Sequence, residues 1–322
     1  MSVCLLALGS NLGDRSRHLN AAVQHLDGLS STRVLAQSSR LETLPLGGPK
    51  GQTGFLNAAL LVETDESPQS LLRCTQAIER HEGRVETQRW DARPLDIDLL
   101  LYDDLSLRAS QLTLPHPWLP VRRFVLQPAS EIAAEMRHPD LGWTVRQMLE
   151  HLESKAQRFV VTSSQFDHRL PQISQDLNSQ YIPDPAPFSV TDQGRLAIPP
   201  ERQAIESLEL RRRAVLDSTW CQPEASAICG FWLGESEVVA SRRLTGRAFH
   251  RFIGHVQRQA ETIPPPKLLV HCRPSLSHTD EDGWPEWRAV LCRDARFPWL
   301  EIEPPNQQRF EDEITAAFLS MR

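Results

Sequence analysis

The chain has 322 residues, of which 40% are hydrophobic and 24% are charged, and its formal net charge is −6. This composition is ordinary for a globular protein, and the length predicts two domains, each able to bury its own core. The acidic balance argues against a general nucleic-acid binder, and no stretch approaches the ~18 apolar residues that a membrane-spanning helix needs. We therefore expect small-molecule ligands, no nucleic acid and no membrane.

The cysteines and the N-terminal residues both predict a cytoplasmic protein. Six cysteines are scattered along the chain without a C-x-x-C pair. That pattern favours buried free thiols in a reducing compartment over a disulfide framework or a zinc site. The apolar run Ser2–Leu8 has no basic start and no small-residue cleavage site, so it does not resemble an export signal.

Apolar periodicity and capping residues predict the elements of the first half. Ser2–Leu8 indicates a buried strand, and a glycine-rich turn leads from it to a helix that Asp14 can cap. Ser67 followed by Pro68 is a favourable helix start, and Thr144 with Gln147 forms a capping box for a helix running to about Lys155. The other strand candidates are Arg33–Glu42, Phe55–Thr64 and Leu95–Tyr102.

A boundary near residues 155–160 divides the chain into a domain of residues 1–156 and one of 157–322. In the second domain, strand-like and helix-like segments alternate, which predicts a mostly parallel, doubly wound α/β sheet. The proline-rich segment Tyr181–Pro200 reads as a loop. The strand candidates are Arg158–Ser163, Lys267–Arg273 and Trp299–Glu303, and the helix candidates are His168–Asn178, Glu201–Leu216, a segment around Leu244–Val256, and Gln307–Met321.

Two aspartates on one predicted strand are the first candidate site. In Leu95-Asp96-Ile97-Asp98-Leu99 the residues alternate strictly, so Asp96 and Asp98 share one face of the strand, about 6–7 Å apart at their origins. Such a pair of carboxylates can hold Mg²⁺ ions that also bind phosphate oxygens. Taken alone, the pattern is more typical of an amphipathic strand with a solvated acidic face.

The loop before this strand shifts the balance towards a metal–polyphosphate site. Arg84, Arg89 and Arg93 lie within about a dozen residues of the aspartates, beside Trp90. Arginine donates paired hydrogen bonds to phosphate, and arginines next to an acidic pair fit a polyphosphate with its cations between them. Surface clustering of arginines remains the alternative.

With these residues in view, residues 3–155 resemble the 6-hydroxymethyl-7,8-dihydropterin pyrophosphokinase family. The resemblance runs in order through many separate motifs at family spacing. They are Ala7–Gly13, Thr43–Gly47, Phe55–Ala59, Gln76–Glu79, Gly83-Arg84, Arg89-Trp90, Arg93–Asp98, Leu114–Pro117 and Arg122–Phe124.

The resemblance implies an α+β fold with a ferredoxin-like sheet and a transferase that moves a pyrophosphoryl group from ATP to the pterin hydroxymethyl group, in folate biosynthesis. It implies that Asp96 and Asp98 hold two Mg²⁺ ions and that Arg84 and Arg93 act on the phosphates. The residues implied to line the ATP site are Gln76, Glu79, Trp90, Ile97, His116 and Arg122. His116, between two prolines, would otherwise serve only to fix a turn.

The resemblance also implies a pterin pocket. Asn57 would bind the edge of the ring, because a side-chain amide both donates and accepts hydrogen bonds. Phe55 and Phe124 would contact its faces, with Phe124 as the stacking partner. Main-chain groups of Thr43, Leu44 and Leu46 would complete the pocket. Without the resemblance, the two phenylalanines read equally well as core aromatics.

The sequence departs from the family pattern in three places. Asp91-Ala92-Arg93-Pro94 stands where the family usually has Gly-Pro-Arg-Thr, so a negative charge is added near the phosphates. Glu86 stands where an arginine often follows Arg84 by two residues, and Pro117 replaces a common aromatic residue. Because no metal ligand is lost, we expect activity with weaker nucleotide binding.

Residues 157–322 resemble the P-loop deoxynucleoside kinase fold through Phe159–Thr162, Asp184-Pro185, a strand expected at Ala214–Asp217, Pro266–Ser275 and Trp299–Ile302. The phosphate loop itself is missing, because the chain has no Gly-Lys dipeptide and reads Thr162–Arg169 at that place. We therefore expect a degenerate, non-catalytic domain that serves in regulation, dimerisation or stabilisation.

Two other functions remain open at this stage. The whole chain would bind pterin without forming AMP if it were a pseudoenzyme, which the altered loop at Asp91-Ala92 would suit. Alternatively, the second domain would phosphorylate a deoxynucleoside through other phosphate contacts.

Overall fold

The structure is a computed structural model that describes residues 1–45, 51–85, 91–163, 165–186, 201–241, 244, 246–273, 289–291 and 297–321. It divides into two compact units. The first unit is Met1–Glu153 with Ala316–Arg322, and the second is Ser154–Thr315. Within the described ranges, no helix is both long and apolar enough to cross a membrane.

The first unit is built around an antiparallel sheet with helices, and without one short extra strand its elements follow the order βαββαβ that is typical of ferredoxin-like folds. The elements are β1 (Ser2–Ser10), α1 (Arg15–Asp27), β2 (Thr32–Gln37), β3 (Leu41–Thr43), β4 (Phe55–Thr64), α2 (Pro68–His81) and β5 (Asp96–Tyr102). The strands lie in the order β2-β4-β1-β5, with the short strand β3 beside β4. The ferredoxin-like sheet expected from the sequence is therefore present.

Local sequence signals account for the ends of these helices. The Asp14 carboxylate accepts a hydrogen bond from the Arg17 N–H at 3.0 Å at the start of α1. Ser67 caps α2 in the same way, with Pro68 at the first helical position. The apolar sides of both helices, including Leu19, Leu26 and Leu71, are fully buried in the core.

The predicted strand Arg33–Glu42 is two strands, because the pairing with β4 is interrupted. The register shifts between Val34 and Ala36. At the interruption, the main-chain N–H of Ala59 donates a hydrogen bond to the Ser38 hydroxyl at 2.8 Å. A side-chain oxygen therefore stands where a main-chain carbonyl of the neighbouring strand would otherwise accept. The chain then pairs with β4 again as β3.

The rest of the first unit contains a helix that the sequence patterns did not predict. A short hairpin, β6 (Leu107–Arg108) with β7 (Thr113–Leu114), precedes α3 (Arg123–Ala133) and α4 (Val145–Leu152). Pro128 lies inside α3 and obscured its helical pattern. At α4 the expected capping box between Thr144 and Gln147 is present.

The second unit contains a fully parallel five-stranded sheet, as the alternating pattern predicts. Its strand order is β12-β11-β8-β10-β9. The strands are β8 (Gln157–Thr162), β9 (Gln180–Ile182), β10 (Ser226–Cys229), β11 (Leu268–Cys272) and β12 (Trp299–Ile302). The helices between them include α5 (Leu170–Asp176), α6 (Glu201–Leu216), α7 (Glu235–Ser241) and α8 (Gly246–Glu261), and the last helix is Gln307–Ser320.

One expectation for this unit is wrong, and a second is wrong in its first two residues. The strand expected at Ala214–Asp217 is the last turn of α6, and Val215 is buried on that helix. The next strand is β10, which has four residues and is too short to give a clear pattern. The loop expected at Tyr181–Pro200 begins within β9, and its residues 187–200 lie outside the described part of the chain.

Candidate active site

Two carboxylates project from the same face of β5. Asp96 and Asp98 are partly buried and alternate with Ile97 and Leu99, whose side chains are in the core. Both aspartates lie next to β1, where Asp96 pairs with Gly9 and Asp98 with Ala7. The alternation read from the sequence is therefore present in the structure.

Two arginines converge on Asp96. Arg84 Nη1 lies 2.7 Å and Arg93 Nη1 2.8 Å from the same oxygen, Asp96 Oδ1. Arg84 also donates to Glu79 Oε1 at 2.5 Å. Two positive charges are thus held beside the acidic pair, where a polyphosphate would need them.

Glu79 connects helix α2 to strand β5. Its buried carboxylate accepts the main-chain N–H of Ile97 at 2.7 Å, between the two aspartates. Burial raises the pKa of Glu79 to about 7, although the charge of Arg84 opposes the shift. Glu79 therefore fixes both the strand and the guanidinium that contacts Asp96.

Asp98 faces a second cationic group. Its Oδ2 lies 3.6 Å from Arg122 Nη1 and 3.9 Å from His116 Nε2. Burial raises the pKa of Asp96, and the neighbouring charge of Asp98 adds to this effect. For Asp98, the positive charges of His116 and Arg122 outweigh burial and lower the pKa. The two carboxylates therefore differ, because the lowered pKa of Asp98 favours its ionised form and the raised pKa of Asp96 does not.

A pocket adjoins these carboxylates. Its lining joins Asp96 and Asp98 to an amide, aromatic rings and the cationic Arg122. Asn57 is buried, and its Nδ2 donates to the Thr43 hydroxyl at 2.9 Å. The lining also includes Gly9, Thr43, Leu44, Phe55, Asn57, Arg93, Trp118 and Phe124.

Gly9 makes the floor of this pocket. It pairs with Asn57 on one side and Asp96 on the other. A methyl group at Gly9 would lie 3.6 Å from Asn57 Oδ1 and 3.9 Å from both Asp96 Cβ and Phe55 Cδ1. The missing side chain therefore leaves room where the amide, the carboxylate and an aromatic ring meet.

Comparison with known proteins agrees with this geometry. The family model for 7,8-dihydro-6-hydroxymethylpterin-pyrophosphokinase (HPPK) matches residues 5–134. The 2-amino-4-hydroxy-6-hydroxymethyldihydropteridine pyrophosphokinase of Methylorubrum extorquens is 41% identical over 156 residues, which are 48% of this chain and 95% of that protein. The chain belongs to the HPPK family.

Other similarities extend the comparison. The pyrophosphokinase of the same name from Haemophilus influenzae is 38% identical over 154 residues, or 47% of this chain and 96% of that protein. Among solved structures, Plasmodium falciparum HPPK-DHPS aligns over 98% of this chain and 83% of that chain, with 12% identity and a TM-score of 0.38. A similarity at that level does not define a fold. The two relatives each cover less than half of this chain.

Most of the residues predicted for an HPPK site lie together. Asp96, Arg84, Arg93 and Glu79 form one hydrogen-bonded cluster, and Asp98 lies beside it on β5, where His116 and Arg122 approach. Thr43, Leu44, Phe55, Asn57 and Phe124 line the adjoining pocket. Trp90 and Leu46 lie outside the described residues, as does Arg89.

Two residues predicted for the ATP site, Gln76 and Ile97, differ in how much of their side chains is exposed. Gln76 is exposed on α2, three residues before Glu79. The Ile97 side chain is only 4% exposed and packs in the core, so its main chain is the part that faces the cluster. His116 also fixes a turn, because its Nδ1 accepts the Trp118 N–H at 3.1 Å.

Three further residues contribute to this cluster and pocket without having been predicted from the sequence: Gly9, Asn11 and Trp118. Gly9 and Asn11 belong to the motif Ala7–Gly13, whose glycines by themselves predict only a turn. Trp118 is buried in the pocket lining, and the Arg122 guanidinium lies 5.1 Å from its ring centre. Its position, one residue after the unusual Pro117, was the available signal.

The second unit has a separate charged cluster at the carboxyl ends of its strands. Arg211 is fully buried, and its Nε and Nη2 donate to the two oxygens of Asp184 at 2.9 and 2.5 Å. Glu235 Oε2 lies 3.9 Å from the same guanidinium. Burial raises the pKa of Glu235 to about 7, although Arg211 opposes the shift.

Proposed function

We propose that the first unit transfers the pyrophosphoryl group of ATP to the hydroxymethyl oxygen of 6-hydroxymethyl-7,8-dihydropterin, releasing AMP. In this reaction the pterin oxygen forms a bond to the β-phosphorus of ATP while the bond from that phosphorus to the α,β-bridging oxygen breaks. One observation carries the proposal. The acidic pair Asp96 and Asp98, with its arginines, opens directly into a pocket lined by Asn57 and aromatic rings.

The pocket suits a flat, hydrogen-bonding heterocycle. Phe55 and Phe124 offer ring faces, and Phe124 is the proposed stacking partner. The amide of Asn57 is the proposed contact for the ring edge, oriented by its hydrogen bond to Thr43. Main-chain groups of Thr43, Leu44 and Leu46 complete the proposed contacts.

The same edge of the sheet suits magnesium. Asp96 and Asp98 supply hard oxygen donors on one face of β5, which is the donor chemistry that Mg²⁺ prefers. We assign both residues as ligands of two Mg²⁺ ions. When bound, the ions would neutralise the triphosphate and stabilise the charge that develops during transfer.

The surrounding side chains act on the phosphates and the nucleotide. Arg84 and Arg93 already meet at Asp96 Oδ1, so either guanidinium can turn to a phosphate oxygen without leaving the site. Glu79 holds Arg84 and the strand in register. The proposed nucleotide contacts are Gln76, Glu79, Trp90, Ile97, His116 and Arg122.

The second domain, proposed as residues 157–322, is assigned no catalytic role. Numbered within the unit, its parallel strands lie in the order 2-3-1-4-5, which is compatible with a degenerate P-loop kinase fold. However, the buried Arg211 guanidinium is already paired with the Asp184 carboxylate, and the Glu235 carboxylate lies close to the same guanidinium. Such a site disfavours phosphate. Regulation, dimerisation and stabilisation remain the proposed roles.

Product analysis distinguishes this function from its rivals. The purified full chain, supplied with Mg²⁺, ATP and the hydroxymethyl-dihydropterin, should form AMP and the pterin diphosphate in equal amounts, and no AMP when pterin is left out. A pseudoenzyme would bind pterin without forming AMP. A nucleoside kinase in the second unit would instead form ADP when given a deoxynucleoside without pterin.

A further inference from the structure

The C-terminal ends of helices α1 and α2 bring two histidines and a glutamate together. His25 lies in the last turn of α1, His81 is the last residue of α2, and Glu82 follows it. One ligand atom from each of the three lies within 4.8 Å of the other two. His25 Nε2 is 3.9 Å from Glu82 Oε1, and the two imidazole rings meet edge to face at 4.9 Å.

The Glu82 carboxylate is held so that one oxygen faces these histidines. Its side chain is only 5% exposed. His18 Nδ1 lies 2.7 Å from Oε2, and Arg17 Nη2 lies 3.1 Å from the same oxygen. Both contacts orient the carboxylate from behind, as the outer hydrogen-bond partners of metal ligands commonly do. Oε1 is therefore the oxygen presented to His25.

The position on the two helices favours a cation. The carboxyl end of a helix carries about half a negative charge, and here the last turns of two helices meet. Arg17 offsets part of the charge of Glu82, so the site is a poor one for a cation bound by charge alone. Two imidazoles with one carboxylate are instead the ligand set of zinc sites that keep a fourth position open.

We propose that His25, His81 and Glu82 bind a transition-metal ion of the Zn²⁺ class. In a tetrahedral site with bonds of ~2.1 Å, neighbouring ligand atoms lie ~3.4 Å apart. The observed 3.9 Å between His25 Nε2 and Glu82 Oε1, and the spacing within 4.8 Å for all three ligand atoms, can close to this value when the exposed imidazoles of His25 and His81 turn towards Glu82. The fourth position would hold water.

An ion at this place would tie α1 to the end of α2. Gly83 follows Glu82 with φ of +93°, and Arg84 comes next. The site shares no residue with Asp96 and Asp98, and it does not depend on the proposed pyrophosphokinase function. Its effect is therefore expected on metal binding and on unfolding temperature.

Binding of Zn²⁺ alone to the full chain tests the proposal. After removal of metals with a chelator, calorimetric titration should give one Zn²⁺ per chain, and Zn²⁺ should raise the unfolding temperature. His25→Ala and His81→Ala should each weaken binding at least about tenfold and abolish the thermal shift. His250→Ala, which removes an exposed helix histidine of the second unit, is the matched control and should bind as the parent does.

The visible spectrum of bound Co²⁺ shows whether the metal ligands include a cysteine thiolate. Co²⁺ at this site should give visible bands without a thiolate charge-transfer band, whereas binding at the exposed Cys221 would give that band. Equal Zn²⁺ affinity in the parent and in the His25→Ala, His81→Ala double variant would overturn the proposal. The proposal would also be overturned if the Co²⁺ spectrum showed a thiolate charge-transfer band, or if the parent did not bind Zn²⁺ at micromolar concentration. Since both histidines are exposed, unfolding temperatures of the metal-free variants should match the parent and verify that they fold.

Discussion

Two hydrogen bonds join Asn11 to the main chain of Arg93. The Asn11 N–H donates to the Arg93 carbonyl at 3.2 Å, and the Arg93 N–H donates to Asn11 Oδ1 at 2.8 Å. Asn11 is fully buried, and it also donates to Gln52 Oε1 at 3.0 Å and accepts the Thr53 hydroxyl. This one residue therefore sets where the Arg93 guanidinium meets Asp96.

Replacing Asn11 should impair the catalytic step more than it impairs folding. Asn11→Ala leaves the Arg93 N–H without its acceptor, so we expect kcat to fall about 10- to 100-fold as the guanidinium loses its position. Steady-state AMP release measures this change. Asn20→Ala, on the exposed side of α1, is the matched control and should keep the parent rate. An unchanged kcat in Asn11→Ala would show that Arg93 is positioned by something else.

A methyl group at Gly9 should block the pterin pocket without disturbing the sheet. Its nearest neighbours would lie at 3.6 Å or more, which is ordinary contact distance. We expect Gly9→Ala to raise KM for the pterin about tenfold, with little change in KM for ATP or in unfolding temperature. Pterin affinity equal to that of the parent would place the ring elsewhere.

The sequence predicted those parts of the fold that local signals specify. Phe55–Thr64 was predicted with both ends correct, because a long apolar run is bounded by Gly54 and by polar residues. The caps at Asp14, Ser67 and Thr144 fix three helix starts in the same way. The aspartates of β5 were found because alternation puts both on one face.

The remainder depends on contacts between residues distant in the chain. The break after Gln37 requires the partner Ala59, and the role of Asn11 requires Arg93, which is 82 residues away. Neither can be read from nearby sequence. The strands β9 and β10 have only three and four residues and pair with parallel neighbours. Segments this short show no recognisable alternation of apolar and polar residues in the sequence.

His138 should make the first unit less stable in acid. It is buried, and its Nδ1 accepts the Leu141 N–H at 3.2 Å, while burial lowers its pKa to about 4. Between pH 6.5 and about 4 the unfolded chain binds a proton that the folded chain does not. The free energy of unfolding therefore falls as the pH falls through this range, by up to about 3 kcal/mol.

Urea unfolding at neutral pH and near pH 4.5 measures this contribution. His138→Gln should have a shallower pH dependence than the parent, since glutamine does not titrate. His250→Ala, on the second unit, should retain the parental slope. The assignment fails if His138→Gln loses as much stability in acid as the parent.

The buried pair in the second unit should matter for stability and not for AMP formation. Arg211→Met leaves Asp184 and Glu235 without their shared partner, so we expect a loss of about 3–5 kcal/mol in the free energy of unfolding. AMP release should stay near the parent value at a temperature where the variant is folded. Unaltered stability would contradict the ion pair, and lost AMP release from folded protein would contradict a non-catalytic second unit.

The most direct test is the rate of AMP release at saturating ATP, pterin and Mg²⁺ in Asp96→Asn and Asp98→Asn. Asp104→Asn, an exposed aspartate just after β5, is the matched control. We predict that each of the first two variants falls by at least about 100-fold, with unchanged secondary structure, while the control keeps the parent rate. Near-parental rates in both active-site variants would contradict a metal site at this pair.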